Sequence, residues 1–464
     1  MKKNILTLFL LLNVANLFSQ NVTIKGSSNK PEALVRLLTY KEMLTCEQTS
    51  IFETKSNEEG EFVIEADIEE ITLAQVAINL ERVDILLKPN ANYEIEIVIP
   101  EQEDDASYFE RQQPTLKMID AKDDNLYYQY YMSDMIIDDF VLNNFNQLYR
   151  GRKLSLLDTL DVVIEKELGK INNDYVKNNI RYRKAAIQMM VNNDNAKKVI
   201  NQYFNKQEIL YSQAAYMNLF QEIFTNYLTS RQFNPSDIRD MLYADYGRFV
   251  NFLQEKDVFL SDNKNLAEII IAWNLKRMYY EMPDEKNLIL NYLNIMLQNA
   301  NNENNKEVIN DIIKQMHRLS FNAEAPNFSL KDVDGNIVKL SDFKEDLLLV
   351  QFLDKTTSMT DYQFEMLNGF SQQWQDTIQI ISISAKEYFN SYKKVFDDRG
   401  YRWLLLNLDN DILLLEKYQV KTFPDYIILG TNGRVGMSPA PSPDQYLDYH
   451  VRRLYNYYKK NDKK

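Results

Sequence analysis

The 464-residue chain carries a formal net charge of −14 and contains one cysteine and two histidines. A structural zinc site needs about four Cys or His ligands and an intramolecular disulfide needs two cysteines, so this composition can supply neither. The acidic charge disfavours nucleic acid and anionic lipid as partners, because both would be repelled. The length predicts about three domains, at roughly 100 to 200 residues each.

Residues 1–20 have the pattern of a cleavable secretory signal. Two lysines precede an apolar run from Ile5 to Leu12. This run is shorter than the ~20 residues of a membrane-spanning helix, which favours cleavage near Ser19 over a membrane anchor. No cysteine follows the run closely, so a lipid anchor would lack its acceptor thiol. We therefore expect the periplasm or cell envelope of a Gram-negative bacterium, no lipoprotein and no transmembrane span.

Residues 21–100 predict a small antiparallel β-sandwich. Short apolar runs such as Phe62-Val-Ile64 and Tyr93-Glu-Ile-Glu-Ile97 alternate with polar residues, as half-buried strands do. Turn signals separate the runs, among them Asn57-Glu-Glu-Gly60. The single cysteine, Cys46, is expected to be a small buried hydrophobic residue.

Residues 101–322 predict a helical domain. An acidic connector is expected over residues 101–120, and apolar residues at helical spacing follow to about Ser320. Glycine, which disfavours helix interiors, occurs only three times between positions 101 and 320. Ser236 and Ser261 precede apolar runs and are predicted to be N-caps.

Three tyrosine pairs in the helical region have two possible roles. They could line a carbohydrate or peptide groove, or pack between helices with the hydroxyl kept in water. The sequence leaves both roles open for Tyr127-Tyr128, Tyr130-Tyr131 and Tyr279-Tyr280.

Residues 323–464 predict an α/β domain. Ala325-Pro-Asn-Phe328 leads into a hairpin with its turn at Asp334-Gly335. A buried strand from Leu347 to Phe352 precedes a helix that starts at about Ser358. Further strands and helices alternate up to a closing hairpin, as in α/β sheets.

This order resembles the TlpA/ResA-like branch of the thioredoxin superfamily, which comprises exported proteins related to the AhpC/TSA proteins. The resemblance rests on five motifs in order and spans roughly 140 residues: APNF, D-x-D-G-N…L-S-D, LLLVQF, D-N-D…Y-Q-V-x-x-F-P and G-x-x-G-R-V. It implies a thioredoxin-like domain over residues 323–464. The N-terminal region likewise resembles the β-sandwich found ahead of such domains.

The family's redox motif is absent. In that family, Trp-Cys-x-x-Cys starts a helix, where the helix N-terminus stabilises a thiolate. Here Thr356 takes the tryptophan position, Thr357 and Thr360 take the cysteine positions, and Ser358 and Met359 lie between them. We therefore expect neither thiol-disulfide oxidoreductase nor peroxidase activity, and no catalytic residue is assigned. Instead, Thr357 or Ser358 is predicted to cap the helix, with Thr360 or Asp361 three residues later in capping-box register.

Pro424 matches the proline that is cis in thioredoxin folds and faces the active-site helix. In redox members of the family, the backbone beside this proline pairs with an extended peptide, so Phe423 and Pro424 mark a candidate peptide groove. The alternative is that Pro424 only shapes the fold.

The sequence thus favours an exported, non-catalytic protein that binds protein or peptide, as a component of a cell-envelope assembly. No cofactor, metal or nucleic acid is expected. One alternative is an enzyme that uses unrecognised carboxylates of the helical region. Another is a thiol oxidoreductase that borrows a cysteine from a partner.

Overall fold

The computed structural model describes residues 21–101, 113–120, 125–191, 196–343, 347–355, 357–374, 377–409 and 411–461. The chain forms two compact units, the first ending at Ile223 and the second beginning at Phe224. The predicted signal, residues 1–20, lies outside the described residues. Across these described ranges, no helix combines the length and apolar character needed to cross a membrane.

Two four-stranded sheets form the N-terminal β-sandwich. Alternate residues of each strand point to opposite faces, so the apolar residues at every second position are buried, as Phe62 and Ile64 are. The strands are β1 (Val22–Ser28), β2 (Leu34–Tyr40), β3 (Gln48–Lys55), β4 (Glu61–Ala66), β5 (Thr72–Ile78), β6 (Glu81–Leu87), β7 (Asn92–Val98) and β8 (Thr115–Asp120). Their order is β4-β1-β7-β8 in one sheet and β3-β2-β5-β6 in the other.

The sandwich departs from the prediction in two strands. β1 and β7 pair in parallel, whereas the other strand pairs of the two sheets are antiparallel. β8 lies within the stretch predicted as an acidic connector and pairs with β7. Residues 99–114 separate β8 from the strand with which it pairs, so local composition did not predict it. The connector prediction is wrong for residues 115–120.

Cys46 is exposed, so the prediction of a buried residue is wrong. It lies in the turn between β2 and β3, with a left-handed backbone at φ 55°. Its Sγ donates to the Met43 carbonyl at 3.4 Å. A turn position, rather than a strand interior, explains the exposure.

Ten α-helices occupy the described residues between 125 and 317. Helices α1 to α3 pack around Ile137, Leu160 and Ile187 in the first unit. In the second unit, α8 is buried on nearly all sides. The helices are α1 (Asn125–Asn143), α2 (Leu156–Leu168), α3 (Asp174–Val191), α4 (Ala196–Tyr203), α5 (Ala214–Phe224), α6 (Pro235–Tyr243), α7 (Tyr246–Lys256), α8 (Lys264–Glu281), α9 (Lys286–Asn299) and α10 (Glu303–His317).

The predicted N-caps of two helices are shifted by two residues. Asn263, not Ser261, caps α8, and its Oδ1 accepts a hydrogen bond from the Leu266 amide at 3.1 Å. Asn234, not Ser236, precedes α6, because Pro235 occupies its first turn.

A seven-stranded sheet forms the C-terminal α/β domain. Its order is β10-β9-β13-β12-β11-β14-β15, with β11, β12 and β13 parallel and β14 antiparallel to β11. Every residue of the central strand β11 is buried. The elements are β9 (Ser329–Asp332), β10 (Ile337–Lys339), β11 (Leu347–Leu353), α11 (Ser358–Gln373), β12 (Ile378–Ser384), α12 (Lys386–Arg399), β13 (Leu404–Asn407), α13 (Ile412–Lys417), β14 (Asp425–Gly430), β15 (Arg434–Met437) and α14 (Leu447–Asn461).

Candidate functional site

The turn from β11 into α11 carries the threonine motif. Thr357 is the N-cap of α11, with extended backbone angles of φ −131° and ψ 163°. Its Oγ1 accepts a hydrogen bond from the Thr360 amide at 3.2 Å. The predicted cap is confirmed, since the hydroxyl satisfies one of the amides that a helix start leaves without an intrahelical partner.

The two threonine hydroxyls also bond to each other. Their Oγ1 atoms are 2.9 Å apart. Thr357 is exposed, whereas Thr360 is only 2% exposed. Within the described residues neither hydroxyl contacts a histidine, so no general base is in place to activate it. This arrangement supports a structural role for both residues.

The other two described residues of the motif are exposed. Ser358 and Met359 lie in the exposed first turn of α11, and Met359 is 53% exposed. Thr356 lies outside the described residues.

Pro424 lies at the start of β14, beside the end of β11. The Phe423–Pro424 peptide bond is cis, as the family resemblance implies. Asp425 pairs with Phe352, so the antiparallel register places Pro424 level with Leu353, the last residue of β11. The proline and the start of α11 are therefore neighbours at one end of the sheet. A second cis bond, Ser438–Pro439, was missed by sequence reasoning.

A buried chain of polar side chains links β14 to α11 and to the sheet. The Tyr426 hydroxyl donates to Gln363 Oε1 at 2.7 Å and accepts from Gln351 Nε2 at 2.8 Å. Gln351 Oε1 accepts from the Ser382 hydroxyl at 2.8 Å, and that hydroxyl accepts from Trp403 Nε1 at 2.9 Å. Burial raises the pKa of Tyr426 well above its usual value, so its hydroxyl stays protonated. These bonds hold the strand after Pro424 against α11.

Comparison with known proteins identifies this domain. Residues 321–437 match the AhpC/TSA family. Over 129 residues the chain is 22% identical to the thiol-disulfide oxidoreductase ResA of Bacillus subtilis (strain 168), an alignment that covers 28% of this chain and 72% of that protein. Both matches support the resemblance of the C-terminal domain to the TlpA/ResA-like branch of the thioredoxin superfamily.

Two solved structures are also similar to this thioredoxin-like domain. One is the thioredoxin domain of a thiol-disulfide oxidoreductase from Bacteroides vulgatus, with 23% identity, coverage of 29% of this chain and 99% of that chain, and a TM-score of 0.27. The other is a thiol:disulfide interchange protein from Bacteroides sp., with 25% identity, coverage of 31% and 90%, and a TM-score of 0.26.

The thioredoxin-like domain has no cysteine of its own. The single cysteine of the chain, Cys46, belongs to the first compact unit, whereas the domain lies in the second. A dithiol–disulfide cycle needs two thiols, so the chain cannot complete one alone.

A cleft that sequence reasoning missed is lined by residues on either side of Phe423 and Pro424 in sequence. Those two residues are not among its lining residues, whereas the second cis-proline, Pro439, is. The volume of the cleft is about 890 Å³. One wall consists of residues from α8, α9 and the end of α10, including Tyr280 and Lys286; the other includes Lys421, Thr422 and Asp425, which flank Phe423 and Pro424 in sequence. The Tyr279-Tyr280 pair was the one sequence signal, and both residues line the cleft.

Among the described residues of the helical region, the carboxylates of Asp311 and Glu268 are both almost fully buried, which is relevant to the alternative of an unrecognised enzyme. Asp311 lies 3.1 Å from Lys314 Nζ. Glu268 is hydrogen-bonded to side chains of other helices. It accepts hydrogen bonds from the Tyr246 hydroxyl and from Asn305 Nδ2, the latter at 2.7 Å, and Lys264 Nζ lies 3.7 Å away. All these partners come from α7, α8 and α10 or their ends, so the cluster ties the helices together. Among the described residues, no group of three or more His, Cys, Asp or Glu side chains is arranged to hold a metal.

Proposed function

We propose that this chain is an exported, non-catalytic protein whose thioredoxin-like domain binds a protein or peptide segment in a cell-envelope assembly. The observation that carries the proposal is the replacement of both thiols by Thr357 and Thr360, which cap α11 while Pro424 stays cis beside it. The helix start and the cis-proline that surround the redox site in redox members of the family are present, whereas the two cysteine thiols are absent.

The capping bonds support the absence of thiol chemistry. A threonine hydroxyl needs an adjacent base to act as a nucleophile, and the Thr357 hydroxyl is bonded to the Thr360 hydroxyl and amide instead. Both hydroxyls contribute to helix stability without reacting.

The surroundings of Pro424 support retained binding. Extended peptides bind by main-chain hydrogen bonds to exposed backbone, with side-chain pockets giving specificity. Thr422 and Asp425 line an open cleft, and the buried Tyr426 hydroxyl fixes the strand that follows. Such pre-organisation lowers the ordering cost of binding.

The proposed location rests on the N-terminal pattern alone. Lys2, Lys3 and the apolar run support export to the periplasm or envelope, and the missing nearby cysteine supports a protein without a lipid anchor.

Disulfide trapping tests the proposed groove. In a Cys46→Ala background, the Thr357→Cys variant is mixed with a decapeptide whose single cysteine carries a thionitrobenzoate leaving group. The protein thiolate attacks the peptide sulfur and releases thionitrobenzoate, which is followed by its absorbance. Gly369→Cys is the matched control, because Gly369 is exposed on the same helix and an added Cβ meets no atom within 4 Å.

Rates with the peptide are divided by rates with free dithiobis-nitrobenzoate, which corrects for the higher reactivity of a thiol at a helix start. We expect the ratio for Thr357→Cys to exceed that of the control at least about tenfold, and a cysteine-free copy of the peptide to suppress the excess. Equal ratios without competition would contradict binding at this site.

A further inference from the structure

The cleft lined by Thr422 and Asp425 differs in charge from the rest of the chain. The whole protein carries a net charge of −14. The cleft, in contrast, is lined by Lys286 and Lys421, and Asp425 is the only carboxylate among its described lining residues. A locally positive cleft on an acidic protein attracts anionic ligands by complementarity.

The two lysines are available for a ligand. The Lys286 ammonium lies 5.0 Å from the centroid of the Tyr279 ring, which is 7% exposed and therefore holds a fixed position beneath it. Lys421 is exposed in the loop before Phe423. In the described part of the chain, neither ammonium forms a salt bridge with a carboxylate.

Asp425 is the one described lining residue whose charge opposes an anionic ligand. Its burial raises the pKa of the carboxyl, against a hydrogen bond from the Tyr426 amide at 2.8 Å that lowers it. Burial thus disfavours the charged form of the one lining group that would repel an anion.

Existing backbone hydrogen bonds exclude one position for a bound peptide strand. The outer edge of β15 is already covered, because the Asn322 amide donates to the Val435 carbonyl at 2.7 Å and the Val435 amide donates to the Ala323 carbonyl at 2.8 Å. A strand cannot add there. Lys421 and Thr422, in the loop that precedes β14, line the cleft and are exposed.

We infer that the cleft takes an extended acidic peptide, in which alternating Asp or Glu side chains contact Lys286 and Lys421. Aromatic side chains of the walls, among them Tyr280 and Phe321, which are 54% and 51% exposed, offer apolar contacts to the residues between. This inference rests on the proposed function. It adds the chemical class of the ligand, and it assigns ligand contacts to Tyr280 and Lys286 of the helical region.

Fluorescence anisotropy with three labelled nonapeptides tests the inference on the full purified chain. The first is Gly-Glu-Tyr-Glu-Phe-Glu-Tyr-Glu-Gly, and the others carry Gln or Lys in place of every Glu. We expect the acidic peptide to bind about tenfold or more tightly than the Gln peptide, and the difference to shrink as salt is raised. The Lys peptide should bind most weakly.

Single substitutions locate the effect. Lys286→Gln and Lys421→Gln should each weaken the acidic peptide about two- to fivefold, as expected for partly exposed ion pairs. Asp425→Asn should strengthen binding of the acidic peptide, because it removes a negative charge from the cleft. The Asn side chain keeps the oxygen that accepts from the Tyr426 amide. Lys331→Gln is the matched control, an exposed lysine on β9 outside the cleft, and should change nothing.

The outcomes distinguish a failure of the acidic-peptide inference from a failure of the proposed function. Binding of all three peptides with equal affinity overturns the inference and leaves the proposed function standing. Acid preference that survives both lysine substitutions also overturns it, because the anionic site then lies elsewhere. Binding of none of the peptides, together with a failed trapping experiment, counts against the proposed function itself.

Discussion

Replacing Thr357 by alanine should destabilise the start of α11 by two separable amounts. The first is the lost cap, in which Thr357 Oγ1 accepts from the Thr360 amide, and N-cap losses of this kind cost about 1 kcal/mol. The second arises because the Thr360 hydroxyl, in a residue only 2% exposed, loses its partner at 2.9 Å. An unsatisfied buried hydroxyl costs about 1 to 3 kcal/mol more.

A double-mutant cycle distinguishes the two terms. Thr360→Val removes the buried hydroxyl, so the Thr357→Ala/Thr360→Val variant should lose little beyond the cap, about 1 kcal/mol. The two changes should therefore be less than additive. Thr357→Ser keeps the oxygen and should stay within about 0.5 kcal/mol of the wild type.

Native-state hydrogen exchange of α11 is the suitable assay, because the chain has two compact units and its global unfolding need not be two-state. A loss of about 1.4 kcal/mol appears as tenfold faster exchange. We expect Thr357→Ala to speed exchange of the first turn by about tenfold or more. Unchanged protection in Thr357→Ala, or equal losses in the Ala and Ser variants, would refute the capping account.

Four further substitutions test the surroundings of the site. Tyr426→Phe leaves two buried glutamine side chains without their shared partner and should cost about 1 to 3 kcal/mol by native-state hydrogen exchange of β11 and β14. Tyr458→Phe removes a buried hydroxyl that has no partner in the described residues and should be neutral or stabilising. Asp425→Asn should raise the stability at pH 7 but not at about pH 3, because a raised folded-state pKa means that stability is lost as the pH rises and the carboxyl ionises. Gly430→Ala should cost about 1 to 3 kcal/mol in the same assay, since its Cβ would lie 2.1 Å from the Tyr458 ring.

Features governed by local sequence could be predicted. The order of strands and helices in the thioredoxin-like domain follows from periodicity and turn residues, as the Asp334-Gly335 hairpin and the fully buried β11 show. The helix cap at Thr357 follows from the chemistry of a hydroxyl at a helix start. The cis bond at Pro424 followed from the family resemblance instead.

Features that depend on distant contacts could not be predicted. β8 is a strand because β7 offers it an edge, and Cys46 is exposed although its turn neighbours Met43 and Leu44 are buried. The buried partners of Gln351 come from β14 and β12, and no spacing rule connects those positions. The cleft likewise needs two walls that lie more than 100 residues apart in sequence, from Tyr280 to Lys421.

The central claim is that the thioredoxin-like domain keeps its scaffold and lacks thiol chemistry. Reduction of insulin by dithiothreitol, followed by turbidity, tests it most directly on the purified chain. The account predicts that the wild type matches the protein-free blank, while Thr357→Cys/Thr360→Cys, which restores a dithiol at the helix start, accelerates the reaction about tenfold or more. Wild-type turnover above the blank that Cys46→Ser abolishes would contradict the account, as would a double-cysteine variant that folds yet remains inactive.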